Sequence, residues 1–177
     1  MKEFKSINVV THPRTLVWET IRDGLPKLAP LLDDIENISV IDRREEADGT
    51  VFLVNRWKAN PKIPSLLQSV IDPSMFVWID RAQWKPAAYE CKWRIETQFL
   101  PDGLKCDGLT SYEEAMGGKG TRITFAGHLN VLPDKLSRVP VYMESAVAKG
   151  IESLVTTLIP KNFRKLSKAV GEFLDTN

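Results

Sequence analysis

Tyr89-Glu90-Cys91-Lys92-Trp93-Arg94-Ile95-Glu96-Thr97-Gln98-Phe99 alternates between two kinds of side chain without a break. Tyr89, Cys91, Trp93, Ile95, Thr97 and Phe99 share one parity, and Glu90, Lys92, Arg94, Glu96 and Gln98 share the other. Successive side chains of an extended chain point to opposite faces, so the segment predicts a β-strand with one greasy and one wet face. The greasy face carries three aromatics together with a thiol and a hydroxyl. Such a face either closes a dry core or lines a cavity for a largely apolar ligand held by a few polar anchors. On the sequence, both readings stay open.

Turn signals extend the pattern in both directions. Pro86-Ala87-Ala88, Pro101-Asp102-Gly103 and Gly117-Gly118-Lys119-Gly120 separate strands near 75–85, 89–99, 104–115 and 121–131. Upstream, strands at 38–46 and 50–59 flank Asp48-Gly49, a strong hairpin pair. Residues 60–73 interrupt this antiparallel meander with Pro61, Pro64 and Pro73 around several aliphatic residues, and read as a loop with a short amphipathic turn. Lys2 to Val10 reads as a first strand. Thr11-His12-Pro13 then starts a helix, with Thr11 or His12 as its cap, and Asp23-Gly24 ends it. A second short helix is expected over Leu25 to Leu32. From Pro140 to Leu174 apolar residues recur at helical spacing, first Met143, Val147, Ile151, Leu154 and Leu158, then Phe163, Leu166, Val170 and Phe173. Pro160 is expected to kink or split that helix.

At 177 residues the chain is long enough for one domain, 1–177, with a substantial core. Its 43% hydrophobic and 27% charged residues exclude a disordered chain. Lys plus Arg number 24 against 23 Asp plus Glu, so no overall field draws it to nucleic acid. Met1-Lys2-Glu3-Phe4-Lys5 lacks the apolar stretch of a signal peptide and no apolar run approaches membrane-spanning length, so the cytoplasm is the expected location. If a hairpin closes at Phe99 and Leu104, Cys91 faces Tyr112 and lies about six residues, roughly 20 Å, from Cys106 along the ladder. No disulfide spans that distance.

Strand, two helices, six strands and one long helix make an α+β chain. Its antiparallel sheet must cover one apolar face, and the C-terminal helix is the element long enough to do so. This order resembles the START-like, or SRPBCC, superfamily, whose helix-grip fold curls a seven-stranded sheet around a long C-terminal helix. The opening Val9-Val10-Thr11-His12-Pro13-Arg14-Thr15-Leu16-Val17-Trp18 is similar to the family's strand, proline, Val-Trp beginning. Gly120-Thr121-Arg122-Ile123-Thr124-Phe125 is similar to the Gly-Thr-Arg that begins its last strand. The resemblance covers essentially the whole chain. It implies a cavity between sheet and helix that takes lipids, sterols, quinones, hormones or polyketides, in carriers, regulators, cyclases or hydrolases.

Parity places the candidate lining. The Tyr89, Trp93 and Phe99 face pairs with Cys106, Gly108, Thr110, Tyr112 and Glu114, and these with Ile123, Phe125, Gly127, Leu129 and Val131. Gly108 and Gly127, with Ala146, Ala148 and Gly150 on the helix, leave room beside the aromatics. Inner glycines also mark bends in an ordinary filled sheet. A two-residue turn at Pro86-Ala87 points Phe76, Trp78, Asp80, Ala82 and Trp84 inward. A three-residue turn would bury Arg81 and Lys85 instead, which is costly, so the first is preferred. It sets Asp80 opposite Trp93, either as an interior anchor with a raised pKa or as a solvated rim group. The candidate ligand-binding set is Trp78, Asp80, Trp84, Tyr89, Trp93, Ile95, Thr110, Tyr112, Phe125, Met143, Val147 and Ile151.

Catalytic chemistry is harder to find. The two histidines, His12 and His128, read as a helix-start residue and an outward-facing strand residue. No His-Glu-x-x-His or Cys-x-x-Cys occurs, and no metal or cofactor is expected. Gly117-Gly118-Lys119-Gly120-Thr121 joins two strands and is a turn, not a phosphate loop. An enzyme would have Asp80, Tyr89, Tyr112 and Glu114 as acid–base candidates. Lys161, Arg164, Lys165 and Lys168 lie beside Phe163, Leu166 and Val170 in a basic amphipathic pattern, which suits either a solvated face or weak contact with anionic lipid.

The expected function is therefore binding or transport of an apolar or amphipathic small molecule between sheet and C-terminal helix, with residues 60–73 as its portal, and catalysis is not favoured. A polyketide cyclase-like enzyme working through Asp80 is the first alternative, and a filled-core protein-interaction module the second.

Overall fold

The computed structural model describes residues 1–60, 73–136 and 139–177. Strand β1 (Lys2–Val10) leads into helix α1 (Arg14–Leu28) and a 3₁₀ turn (Ala29–Leu31). Strands β2 (Ile35–Glu45) and β3 (Val51–Ala59) follow. After a second 3₁₀ turn (Pro73–Phe76) come β4 (Val77–Lys85), β5 (Glu90–Thr97), β6 (Leu104–Ala115) and β7 (Gly120–Val131), and helix α2 (Val141–Asp175) closes the chain. The strands form one antiparallel sheet in the order β1-β7-β6-β5-β4-β3-β2. Most of the chain after β2 is thus a meander, and only β1 crosses over to pair with the last strand.

Local chemistry explains the turns. At Asp48-Gly49 the glycine sits at φ +84°, and the Thr50 N–H donates to Asp48 Oδ1 at 2.9 Å. Such a backbone suits glycine, and the aspartate supplies the acceptor that the turning chain needs. Two other turns are longer than expected. The β4–β5 turn spans four residues, pairing Lys85 with Glu90, so Ile95 and not Trp93 faces Asp80. The β5–β6 connection pairs Glu90 with Ser111, so Cys91 faces Thr110 and Cys106 faces Ile95. Both corrections are shifts of two residues. Even shifts leave every side chain on its expected face. Four positions now separate the two cysteines along the ladder, about 13 Å, and both thiols are free and buried.

The helices depart from expectation more. α1 continues through Asp23-Gly24 and carries Pro26 within it, in place of two separate helices. Leu25 and Leu28 are buried, and Asp23 is fixed by Arg22 at 2.7 Å and Arg43 at 2.8 Å. Burial and these pairs outweigh the one backbone bond that proline forfeits. No side chain caps α1; Pro13 is its N-cap, His12 Nε2 meets Asp175 at 2.7 Å at the end of α2, and Thr121 donates to the His12 carbonyl. α2 is likewise one helix across Pro160. Ile159 and Phe163, on either side of that proline, both pack on the core and keep the two halves aligned.

The space expected beside Gly108 and Gly127 belongs to protein. These glycines face each other across β6 and β7, and the Trp93 indole lies over both. A Cβ on Gly127 would stand 2.6 Å from Trp93 Cη2, and one on Gly108 would collide with both the ring and the Ala126 carbonyl. On α2, Ala148 is buried, but Ala146 and Gly150 face outward. Leu154 and Leu158 are also exposed, while Val155 and Ile159 take the inward positions. Gly108→Ala and Gly127→Ala are each expected to destabilise the fold by about 3 kcal/mol, because both Trp93 and the facing strand's backbone must shift. Chemical denaturation checks this, and a loss within experimental error would show that both move freely.

Candidate functional site

The inward face divides into two filled clusters and one open region. Beneath α1, the Trp18 ring meets Trp84, Tyr89 and Tyr112 edge-on, with centroids 4.9, 5.4 and 5.1 Å away. Tyr89 also pairs with the Thr15 hydroxyl at 2.9 Å and lies under the Arg14 guanidinium, 3.9 Å from its centroid. Three of the candidate site residues, Trp84, Tyr89 and Tyr112, are therefore occupied in holding α1. Edge-to-face rings at these separations are favourable beyond the area they bury. Glu114 is exposed, 3.7 Å from Arg14, away from any interior chemistry.

The second cluster ties sheet to α2. Trp93 stacks on Phe125 at 4.8 Å and 10°, and Phe125 stacks on Phe163 of α2 at 4.3 Å and 11°. Phe4 of β1 flanks both sheet residues. Trp93 Nε1 donates to Thr110 Oγ1 at 3.1 Å, which satisfies both buried groups.

The remaining candidates border open space. α2 lies against β1, β7 and α1 and makes no comparable contact with β3, β4 or β5 among the described residues. On the inward face of those three strands Trp57, Trp78, Asp80, Ile95 and Thr97 all keep accessible surface. Trp57 and Trp78 stack at 5.6 Å and 15°. Val147 and Ile151 of α2 are half-buried against the core, and Met143, a turn earlier, is 43% exposed. Residues 61–72, the bulk of the expected portal, lie outside the described residues.

A second opening adjoins this region. The β5–β6 ladder stops at Ile95 and Cys106, whereas β5 stays paired with β4 to Thr97 and β6 with β7 to Leu104. The strands fork, leaving a cavity of about 500 Å³ lined by inward Ile95, Thr97 and Cys106 and by outward Arg94, Glu96 and Asp107.

Asp80 is the chemically distinctive group. It is half-buried, with protein crowded around its carboxyl. Burial pushes its carboxyl up to about 6 from 3.8, against two groups that favour the anion. One is Asn55 Nδ2, at 3.4 Å; the other is the Trp57 indole, which leans toward the carboxylate without closing a hydrogen bond. Asn55 Oδ1 and Trp57 Nε1 are buried without a partner, each at a cost of about 1–3 kcal/mol. The thiols of Cys91 and Cys106 and the Tyr112 phenol are held neutral by burial, Cys106 at about 12, and none is a ready nucleophile.

Asn55 and Trp57 are absent from the set expected from sequence. The signal for them was present: Val51, Leu53, Asn55 and Trp57 share one parity, with a lone amide among apolar residues. No hairpin joins β3 to β4, so parity could not be carried from one to the other.

Seven antiparallel strands in this order, gripping a long C-terminal helix, are shared with many solved structures. The helix-grip fold of the START superfamily is the fold of this chain. A START superfamily protein from Mycobacterium smegmatis is 12% identical, with 98% of this chain and 97% of that one aligned at a TM-score of 0.58. The Zhui aromatase/cyclase from a Streptomyces species is 13% identical over 98% and 93% of the two chains, TM-score 0.65. Norcoclaurine synthase from Thalictrum flavum is 11% identical over 99% and 87%, TM-score 0.58. No family model matches the chain, and no curated protein matches it in sequence. No described helix is long and apolar enough to cross a membrane.

The raised Asp80 pKa has a definite sign in stability. Between about pH 4 and 6 the folded state holds a proton that the unfolded chain has released, so stability falls as pH rises through that window. Below it both states are protonated and the burden is absent. Above it the burden is complete, about 3 kcal/mol. Asp80→Asn is thus expected to melt higher than wild type at neutral pH and to match it at about pH 4. Thermal unfolding across the range checks this; a variant no more stable at neutral pH would place the carboxylate in bulk water.

Proposed function

We propose that this chain, acting as a single binding domain, holds an apolar or amphipathic small molecule on the concave face of β3, β4 and β5, beside the N-terminal half of α2. The observation that carries the reading is the incomplete cover of that face by the described residues: Trp57, Trp78 and Ile95 stay half-open, while the rest of the inward face is sealed by Trp18 and Phe163. Affinity comes from burying apolar surface, about 25 cal/mol per Å², with Asp80 and Asn55 orienting the polar end. The β5–β6 fork is a side route to the same face. Cytoplasmic residence belongs to this proposal, and two unpaired, buried thiols suit a reducing compartment. Contact with anionic lipid through the basic residues of α2 has less behind it, because Lys165 is paired with Asp34 at 2.6 Å and Lys168 lies 3.7 Å from Glu172.

A cyclase-like reading has one observation in its favour, an interior carboxyl whose pKa of about 6 suits a general acid. Asp80→Asn separates the two: it abolishes turnover in an enzyme and only weakens binding in a carrier. The filled-core alternative describes the half of the interior under α1.

Native mass spectrometry followed by organic extraction is expected to find a co-purifying lipid, quinone or aromatic compound, and tryptophan quenching to report its rebinding. Ile95→Trp, which adds bulk on the half-open face, is expected to weaken rebinding by roughly tenfold, about 1.4 kcal/mol. A clean apo mass with no thermal shift across a hydrophobic ligand panel would overturn the proposal.

A further inference from the structure

From the polar groups around Asp80, beneath the open region, and resting on the interior-binding reading above, we infer that the site selects ligands whose polar head donates hydrogen bonds, an alcohol, phenol or amine, and rejects carboxylates. Around Asp80 the unspent capacity of the described residues is mostly acceptor. Asp80 offers two carboxyl oxygens and accepts one long bond, from Asn55 Nδ2 at 3.4 Å. That bond uses one amide proton and leaves Asn55 Oδ1 buried and unpartnered, although Asn55 is only 1% exposed. A buried acceptor in that state is costly until a donor arrives. Among the described residues, Trp57 Nε1 and the second Asn55 amide proton are unspent donors nearby, enough to receive the lone pairs of a hydroxyl.

Charge points the same way. The inward positions of β3 to β7 carry no lysine, arginine or histidine. Arg43, on the rim, is held by Asp23, and Lys165 of α2 by Asp34. The buried Glu152 carboxyl of α2 accepts the Val131 N–H of β7 at 3.1 Å and brings no positive charge either. A carboxylate ligand would therefore bring a second negative charge to Asp80 with no cation at the described inward strand positions to compensate it, in surroundings that screen poorly. A hydroxyl meets Asn55 Oδ1 without that repulsion. An ammonium adds three donors and a positive charge beside the faces of Trp57 and Trp78.

Matched naphthalene probes test the inference: unsubstituted naphthalene, naphthol, naphthylmethylamine and naphthoate, titrated by tryptophan quenching at neutral pH against wild type and Asp80→Asn. Naphthol and the amine are expected to bind roughly tenfold or more tightly than naphthoate. In Asp80→Asn, which keeps the side chain's shape, that gap should narrow severalfold, and the amine should lose more affinity than naphthol if its charge contributes. Asn55→Leu should weaken naphthol and leave unsubstituted naphthalene unchanged. Naphthoate binding as tightly as naphthol, or a gap that Asp80→Asn leaves intact, overturns the inference while the interior-binding reading stands. Failure of unsubstituted naphthalene as well as the three headed probes overturns both.

Discussion

Trp93 lies across the paired glycines of β6 and β7, stacks on Phe125, and through it reaches Phe163 of α2. The rest of the architecture depends on this stack. Two facing glycines are needed because a Cβ on either would collide with the ring, and the flat rings then set how closely the helix approaches β1 and β7. Three aligned aromatic rings with a satisfied indole N–H make a rigid spacer. A helix held to that side of the sheet leaves the other side, β3 to β5, to be covered by something else.

That asymmetry gives the interior two characters. Under α1 the Trp18, Trp84, Tyr89 and Tyr112 rings interlock and leave nothing for a ligand to do. Around Asp80 aromatic surface stays open beside unpaired Asn55 Oδ1 and Trp57 Nε1, whereas the orphaned Arg14 Nε and Trp84 Nε1 lie in the closed cluster under α1. Buried, unsatisfied polar atoms next to open aromatic surface are where a fold gives up stability, and such places concentrate at binding sites. The two neutral cysteines and the high-pKa tyrosine mark the opposite case, groups so well enclosed that burial keeps them inert.

Much of the fold was legible because alternation is a local signal. Strands β3 to β7 lie within a few residues of where the turn chemistry of Asp48-Gly49, Pro101-Asp102-Gly103 and the Gly117 turn places them. The helix boundaries were less legible. Asp23-Gly24 and Pro26 are local stop signals, yet Leu25 and Leu28 find a buried surface that only the folded sheet provides, and α1 continues. Asp80 was read correctly as inward even though its cross-strand neighbour was misassigned, because the error was two residues. Asn55, its actual partner in hydrogen bonding, was missed because β3 and β4 are joined by a long connection without a countable turn.

By itself the sequence determined which side chains share a face. The period of a strand is two, and any even change of register preserves it. Distances were decided by tertiary structure. Whether the inner glycines leave a void, whether Leu154 or Val155 turns inward, and which strands α2 covers all depend on where long rings and a distant helix come to rest. Those positions are set by close packing between residues far apart in the chain, and no local period encodes them.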